Sequence, residues 1–465
     1  MNDDSSIDRV ASMLRDLAAS LRPGDRLPAS RALTARYGVS PVTVSRAIAR
    51  LAAEGTVVTR PGSGTFVAAR PEPPAEPPDL SWQSVALGDR AVDDQVVSTL
   101  LTAPPEGVIP LTGGYLPPGL RPDQALSAAA ARAVRRPDAW STPPLGGLEE
   151  LRRWFAALVG GDVTPGDVLV TAGGQAALTT ALRALAPPGA PLLMETPTYP
   201  GALSAARAAG LRPTGVPLDG DGVRPDLLAE AFALTGARVL YTQPTLHNPT
   251  GVVQPLRRRE EVLAVARAAG AFVIEDDWGR HFAEPAHSPP PLAALDRHGA
   301  VVHLSSLTKV TSSSLRVGAL VARGPVARRL RSTSLVDSFF VARPLQETAL
   351  DFATSPAWRR HVAAVRAELL SRRDQAAAEL ARHLPEVAFR LPPGGLHLWL
   401  RLPGHVDEAA LADAALRHGV QYSPGRLYYP AEPPAPHLRL TPAAPATRAE
   451  ITEGVHRLAK ALASC

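Results

Sequence analysis

Apolar positions in the first seventy residues recur with a helical period, whereas most later apolar positions come in short runs bounded by turns. Ile7, Val10, Met13, Leu14, Leu17 and Leu21 form one helical stripe, ended by Pro23-Gly24. A second helix is expected from about Ala29 to Tyr37, closed by Gly38. The third has the clearest start, with Ser40 as N-cap and Pro41 at the first helical position. Val44, Ile48 and Leu51 are its buried stripe, Gly55 stops it, and Thr43, Ser45, Arg46 and Arg50 are expected to face outward. Thr56-Val57-Val58 and Arg60-Pro-Gly-Ser-Gly-Thr-Phe-Val67 then predict two short strands around a glycine turn. Helix, helix, turn, helix and a β-wing make a winged helix-turn-helix, whose third helix fits the major groove of double-stranded DNA.

The pattern changes twice beyond that unit. Five prolines between Pro71 and Pro78 cannot donate backbone hydrogen bonds and predict an extended spacer. From about residue 106, β-like runs alternate with Ala/Leu/Arg-rich helical stretches. Val168–Thr171, Pro191–Met194, Val239–Tyr241, Phe272–Ile274, Val301–Leu304 and Ala319–Val321 read as short buried strands of a mostly parallel sheet. The expected organisation is a DNA-binding unit over 1–69, a Pro-rich linker over 70–105 and a layered α/β domain over 106–465.

Composition narrows the setting. With 45% hydrophobic and 20% charged residues, a chain of 465 residues can bury a large core. Its one cysteine, Cys465, rules out an intrachain disulfide and suits a reducing compartment. No run is long and apolar enough to span a membrane, and the acidic start Met1 to Asp8 is unlike a signal peptide, so a cytoplasmic protein is expected. Residues 1–70 hold ten Arg against six Asp and Glu, +4 of the net +5, which points the N-terminal unit toward a polyanion. The first-turn amides of the third helix and the hydroxyls of Ser40, Thr43 and Ser45 suit phosphates and base edges.

Leu27-Pro-Ala-Ser-Arg31, Gly38-Val-Ser-Pro-Val-Thr-Val-Ser-Arg46, Leu51-Ala-Ala-Glu-Gly55 and the wing together resemble the GntR-type DNA-binding domain. The resemblance implies DNA contacts from Arg31, from the start of the third helix through Ser40, Thr43, Ser45 and Arg46, and from Gly62, Ser63 and Gly64. Pro41 stands where many relatives carry a DNA-contacting Arg.

Candidate chemistry follows the predicted strands of the large domain, where α/β sheets bind ligands. Only two lysines occur among 49 Lys and Arg, and one of them, Lys309, ends Ser305-Ser-Leu-Thr-Lys309. A primary amine can form a Schiff base and a guanidinium cannot. Thr171-Ala-Gly-Gly-Gln175 opens a helix whose amides can hold a phosphate. Tyr199, Asn248, the Glu275-Asp-Asp277 run and Arg316 complete a set with a stacking ring, polar anchors and a carboxylate for a cationic ring nitrogen. That set is what pyridoxal 5′-phosphate (PLP) requires.

Its order resembles fold type I aminotransferases, and the whole chain resembles the MocR/GabR regulators. The resemblance implies an α/β domain with a smaller C-terminal α+β subdomain and a homodimer. It gives Lys309 the Schiff base, Asp276 the pyridine nitrogen, Asn248 the phenolic oxygen and Tyr199 the ring stack. It gives Gly174, Gln175, Ser306 and Arg316 the phosphate, and Arg439 the carboxylate of an amino-acid-like ligand. Trp278 departs from the pattern, because relatives usually carry a Tyr there. No metal is expected. Two functions compete: a PLP-dependent transcriptional regulator that senses PLP, an amine or an amino acid, and an aminotransferase with an accessory DNA-binding unit.

Overall fold

The computed structural model describes residues 3–69, 78–88, 94, 97–98, 101–102, 104–285 and 288–465. The chain divides into two compact units, Met1–Ala91 and Val92–Cys465. Most of the proline-rich stretch, residues 70–77, lies outside the described residues.

In the first unit α1 (Asp3–Ala19), α2 (Ser30–Tyr37) and α3 (Pro41–Ala53) precede an antiparallel wing of β1 (Val57–Arg60) and β2 (Gly64–Val67). Val10, Leu14, Leu27, Leu33, Val44, Ile48, Leu51 and Val57 form its core. Gly38 closes α2 in the left-handed conformation at φ 63°, which a glycine adopts without a Cβ penalty. The Ser40 Oγ caps α3 by accepting from the Thr43 amide at 3.1 Å. A further short helix, α4 (Ser81–Leu87), lies inside the stretch expected to be an extended linker; Trp82, Val85 and Leu87 on it are exposed.

In the second unit β3 (Ile109–Pro110) pairs in parallel with β14 (Val420–Gln421). Its main sheet has eight strands: β4 (Val168–Thr171), β5 (Pro191–Thr196), β6 (Arg212–Asp219), β7 (Gly222–Val223), β8 (Val239–Thr242), β9 (Phe272–Asp276), β10 (Val301–Ser306) and β11 (Gly318–Val321). They lie in the order β4-β11-β10-β9-β8-β5-β6-β7. β11 runs antiparallel to β10 and β4, and β7 runs antiparallel to β6; the other pairings are parallel. Buried layers on both faces explain why the central strands read as continuous apolar runs.

A smaller antiparallel sheet follows, of β12 (Ala388–Phe389), β13 (Leu398–Arg401), β15 (Ser423–Pro424) and β16 (His437–Leu440). With the helices Pro356–His383, Glu408–Arg417 and Arg448–Ala463 it forms a separate core around Leu380, Leu400, Leu411, Leu438 and Val455. This is the smaller α+β subdomain.

Candidate functional site

On the N-terminal unit, Arg31, Ser40, Ser45 and Arg46 are exposed along α2 and α3. Thr43 differs from the expectation: it is buried, and its hydroxyl lies 2.8 Å from the Ser40 Oγ. It stands four residues before buried Ala47, on the edge of the stripe that faces the core, and the capping serine draws it inward. Arg50 is tied to Asp8 and, at 3.3 Å, to Glu54. In the wing, Gly62 (φ 73°) and Gly64 (φ 115°) turn the chain around Ser63. A Cβ on Gly64 would come within 2.6 Å of the Arg26 side chain, so the close approach there is to arginine.

In the second unit the expected residues converge on a cavity of about 480 Å³ at the carboxyl ends of the parallel strands. Gly174, Gln175, Tyr199, Asn248, Asp276, Ser306, Lys309, Arg316 and Arg439 all line it, although they are spread over some 265 positions of sequence. Topology explains the convergence. β4, β5, β8, β9 and β10 all end at this edge, and antiparallel β11 begins there, just after Arg316.

One side of the cavity is built from three strand ends. The Ser306 hydroxyl oxygen accepts from the Gly174 amide at 3.3 Å and from the Thr308 amide at 3.2 Å. Gly174 opens the helix Gly174–Leu185, whose first-turn amides have no partner within the helix and favour negative charge. Arg316 holds a left-handed φ of 49°, unusual for a side-chain-bearing residue, and its guanidinium donates to the Ala172 carbonyl at 2.8 Å. Gly173 (φ 84°) leaves room for that guanidinium, because a Cβ would come within 3.0 Å of it. Gln175 turns its side chain to the Gly201 carbonyl at 3.4 Å. Tyr199 lies against Gly201, where a Cβ would fall 2.3 Å from the tyrosine side chain.

Of the three acids in Glu275-Asp-Asp277, only Asp276 reaches the cavity. Strand alternation sends its neighbours to the other face, where Glu275 takes the amides of Leu292 and Ala293 and Asp277 pairs with Arg280. The Asp276 Oδ2 accepts from the Tyr241 hydroxyl at 2.7 Å and the Gln243 amide at 2.8 Å. Burial nevertheless raises its pKa, against the Tyr241 and Gln243 hydrogen bonds and the Lys309 charge. The Lys309 Nζ sits 4.0 Å from the centre of the Tyr115 ring. Burial and then the Arg439 charge lower its pKa from 10.5 to about 8, with Asp276 opposing.

Arg439 is almost wholly buried. It donates to the Gly113 carbonyl at 2.6 Å, the Asn248 Oδ1 at 3.1 Å, the His397 Nε2 at 3.4 Å and the Ser423 Oγ at 3.4 Å. Among the described residues no carboxylate perturbs it, and its Nε has no partner. A buried guanidinium without an acid is costly unless an anion arrives. Trp278 also lines the cavity; its ring packs 5.7 Å from His397, and its buried Nε1 has no acceptor.

Sequence reasoning missed Tyr115, Gln243, Tyr241 and His397. Gln243 is a junction, donating to Asp276 while its Oε1 accepts from the Asn248 amide at 3.1 Å. Its own amide donates to the buried Glu195 at 2.7 Å. The available signal was the position of Tyr241 and Gln243 at the end of a predicted strand.

Fold and site together define a two-part protein, a winged helix-turn-helix unit and an aminotransferase-type α/β unit with a lysine-bearing cavity. Residues 109–458 match the family described as Aminotransferase class I and II, and residues 7–67 match the bacterial regulatory proteins of the gntR family. The chain belongs to the MocR type of HTH transcriptional regulators, a gntR-family domain joined to an aminotransferase class I and II domain. It is 30% identical to the HTH-type transcriptional regulator YdcR of Escherichia coli, over 90% of this chain and 91% of that one. It is also 30% identical to the HTH-type transcriptional regulator TauR of Rhodobacter capsulatus, over 96% and 94%. Among solved structures, LysN, the alpha-aminoadipate aminotransferase of Thermus thermophilus in complex with N-(5′-phosphopyridoxyl)-L-leucine, superposes with a TM-score of 0.76. It is 31% identical, over 83% of this chain and 99% of that one.

Proposed function

We propose that this chain is a transcriptional regulator that holds PLP on Lys309 and couples the arrival of an amine or amino acid to its binding of double-stranded DNA. The observation that carries the reading is a lysine with a lowered pKa in one cavity with Asp276, a helix-start cradle and a buried arginine that no carboxylate faces. These residues fit PLP: Gly173 and Gly174 leave the cradle open beside Arg316 and Ser306, and burial outweighs the Lys309 charge in raising the pKa of Asp276, which a second cation would lower.

When bound, PLP supplies an aldehyde for an amine and a ring that withdraws electrons. The chain does the rest. Lys309, its pKa lowered to about 8, offers a fraction of neutral amine near neutral pH, and Asp276 would hold a proton at the pyridine nitrogen. Gly174, Gln175, Ser306 and Arg316 would hold the phosphate, Tyr199 would cover the ring and Asn248 would reach the phenolic oxygen. Arg439, held by Gly113 and Asn248 and with its Nε–H still without a partner, would take an effector carboxylate in a charge-assisted pair.

A second reading, aminotransferase turnover, is supported by the likeness to LysN. Trp278 argues against efficient turnover, because indole cannot accept a hydrogen bond and its N–H has no acceptor here.

The test is to add PLP to the purified protein, record the visible absorption, reduce with borohydride and map the modified peptide. The pyridoxyl group should lie on Lys309, and Lys309→Ala should remain folded without the band. A band that persists in that variant would remove the cofactor assignment.

A further inference from the structure

A second cluster of chemically competent side chains lies in the C-terminal subdomain, among residues that do not line the lysine cavity. Glu379 and His383 are four residues apart on the helix Pro356–His383, so they share one face. His456, on the helix Arg448–Ala463, meets them. The two imidazole Nε2 atoms are 3.0 Å apart. The Glu379 Oε2 is 3.5 Å from the His383 Nε2 and 3.4 Å from the His456 Nε2.

These three distances describe a shape. A tetrahedral ion with ligands at roughly 2.0–2.1 Å separates each pair of ligand atoms by about 3.3–3.4 Å. The triangle formed by Glu379, His383 and His456 is therefore one face of such a tetrahedron. The carboxylate is also oriented for the task. Its Oε1 accepts from the Thr452 hydroxyl at 3.2 Å, and the Gln375 amide fixes that hydroxyl at 3.0 Å. The Oε2 is buried and has no hydrogen-bond partner, although two ring nitrogens face it. A ligand held by one oxygen and presented through the other is the usual outer-shell arrangement of a metal site.

We propose that Glu379, His383 and His456 bind a divalent ion of the zinc class. Two imidazoles and one carboxylate select a borderline transition ion over calcium or magnesium, which prefer all-oxygen sites. Among the described residues no fourth His, Cys, Asp or Glu joins the group, and the two imidazoles are about one-third exposed. The fourth position therefore faces solvent and takes water or an external ligand. The ion would tie the helix Arg448–Ala463 to the helix Pro356–His383, and the former follows the strand that carries Arg439.

The test uses full-length protein without a histidine tag, stripped with EDTA and titrated with Zn²⁺ against a chromogenic chelator. One ion per chain is expected to bind tightly. His383→Ala, His456→Ala and Glu379→Gln should each weaken it at least tenfold, while far-UV circular dichroism and PLP absorption stay unchanged. Co²⁺ in the wild type should give the intense visible band of a tetrahedral site, a readout independent of any variant's folding. Stoichiometric binding unchanged in the His383→Ala/His456→Ala double variant, or only the weak spectrum of hydrated Co²⁺, would overturn the assignment.

Discussion

Lys309 is set apart from every arginine in this chain by an amine that can lose its proton, and its surroundings bring that loss within reach. Burial lowers its pKa to about 8. For a base, a lowered pKa means that the neutral nucleophile appears above about pH 8 and no longer waits for the ordinary 10.5. The initial rate of PLP capture by apoprotein should therefore climb between pH 6.5 and 8 and level off above about 9. Stopped-flow absorption would check this, and a rate still climbing steeply at pH 10 would show an unperturbed lysine.

Two neighbours make sharper tests. Gly173 has φ 84° and sits against Arg316, so Gly173→Ala combines backbone strain with a collision at the guanidinium. PLP affinity should fall tenfold or more, read by equilibrium titration. Trp278→Tyr would put a phenol where an unpaired indole N–H now lies. The pH at which the loaded protein's visible spectrum titrates should move by about one unit, since a hydrogen bond to a charged group is worth roughly 1.5–3 kcal/mol. Identical titrations would mean that position 278 does not face the cofactor. Lys309 and the Glu275-Asp-Asp277 run were legible as an unusual residue type and an acid cluster at strand ends, whereas Asp276 within that run and Arg439 came only from the family resemblance. Gln243, Tyr115 and His397 were not legible, because ordinary residue types gain meaning only from what the sheet folds beside them.

At the scale of elements, the start of α3 is the feature on which the DNA-facing surface depends. The Ser40 Oγ both caps the helix and meets the buried Thr43 hydroxyl. Ser40→Ala should cost about 1 kcal/mol through the lost cap, and somewhat more because Thr43 keeps an unpaired hydroxyl. For a unit of this size that lowers the melting midpoint by roughly 4–8 °C per kcal/mol, measurable as the N-terminal transition in calorimetry. Strands with unbroken apolar runs, such as β8 to β10, could be read directly. β6 could not, because Pro213, Gly215 and Pro217 interrupt it, as they can on a strand near the sheet edge. α4 was hidden by the prolines that precede it. Thr43 was misassigned because its place on the stripe's edge becomes visible only once the cap is formed.

At the scale of the whole molecule, net charge is unevenly divided between the two units. The N-terminal residues carry most of the net positive charge, so DNA affinity should fall steeply between 50 and 200 mM salt, in proportion to the phosphates neutralised. We expect a homodimer, which would present two winged helices to paired half-sites and gain avidity from the tether. Sedimentation at micromolar concentration would test this, and a monomer would contradict it.

The central claim is that occupancy of the Lys309 cavity is read out as DNA binding. Its most direct test is the affinity of the wild type and of Lys309→Ala for DNA selected by the wild type from a random pool, at one fixed salt concentration. Each protein is measured without PLP, with PLP, and with PLP plus candidate amines. The account predicts a change of about fivefold or more in the wild type, the lower end of ordinary coupling between sites, and none in Lys309→Ala. Equal affinities in every wild-type condition, or the same change in Lys309→Ala, would contradict it.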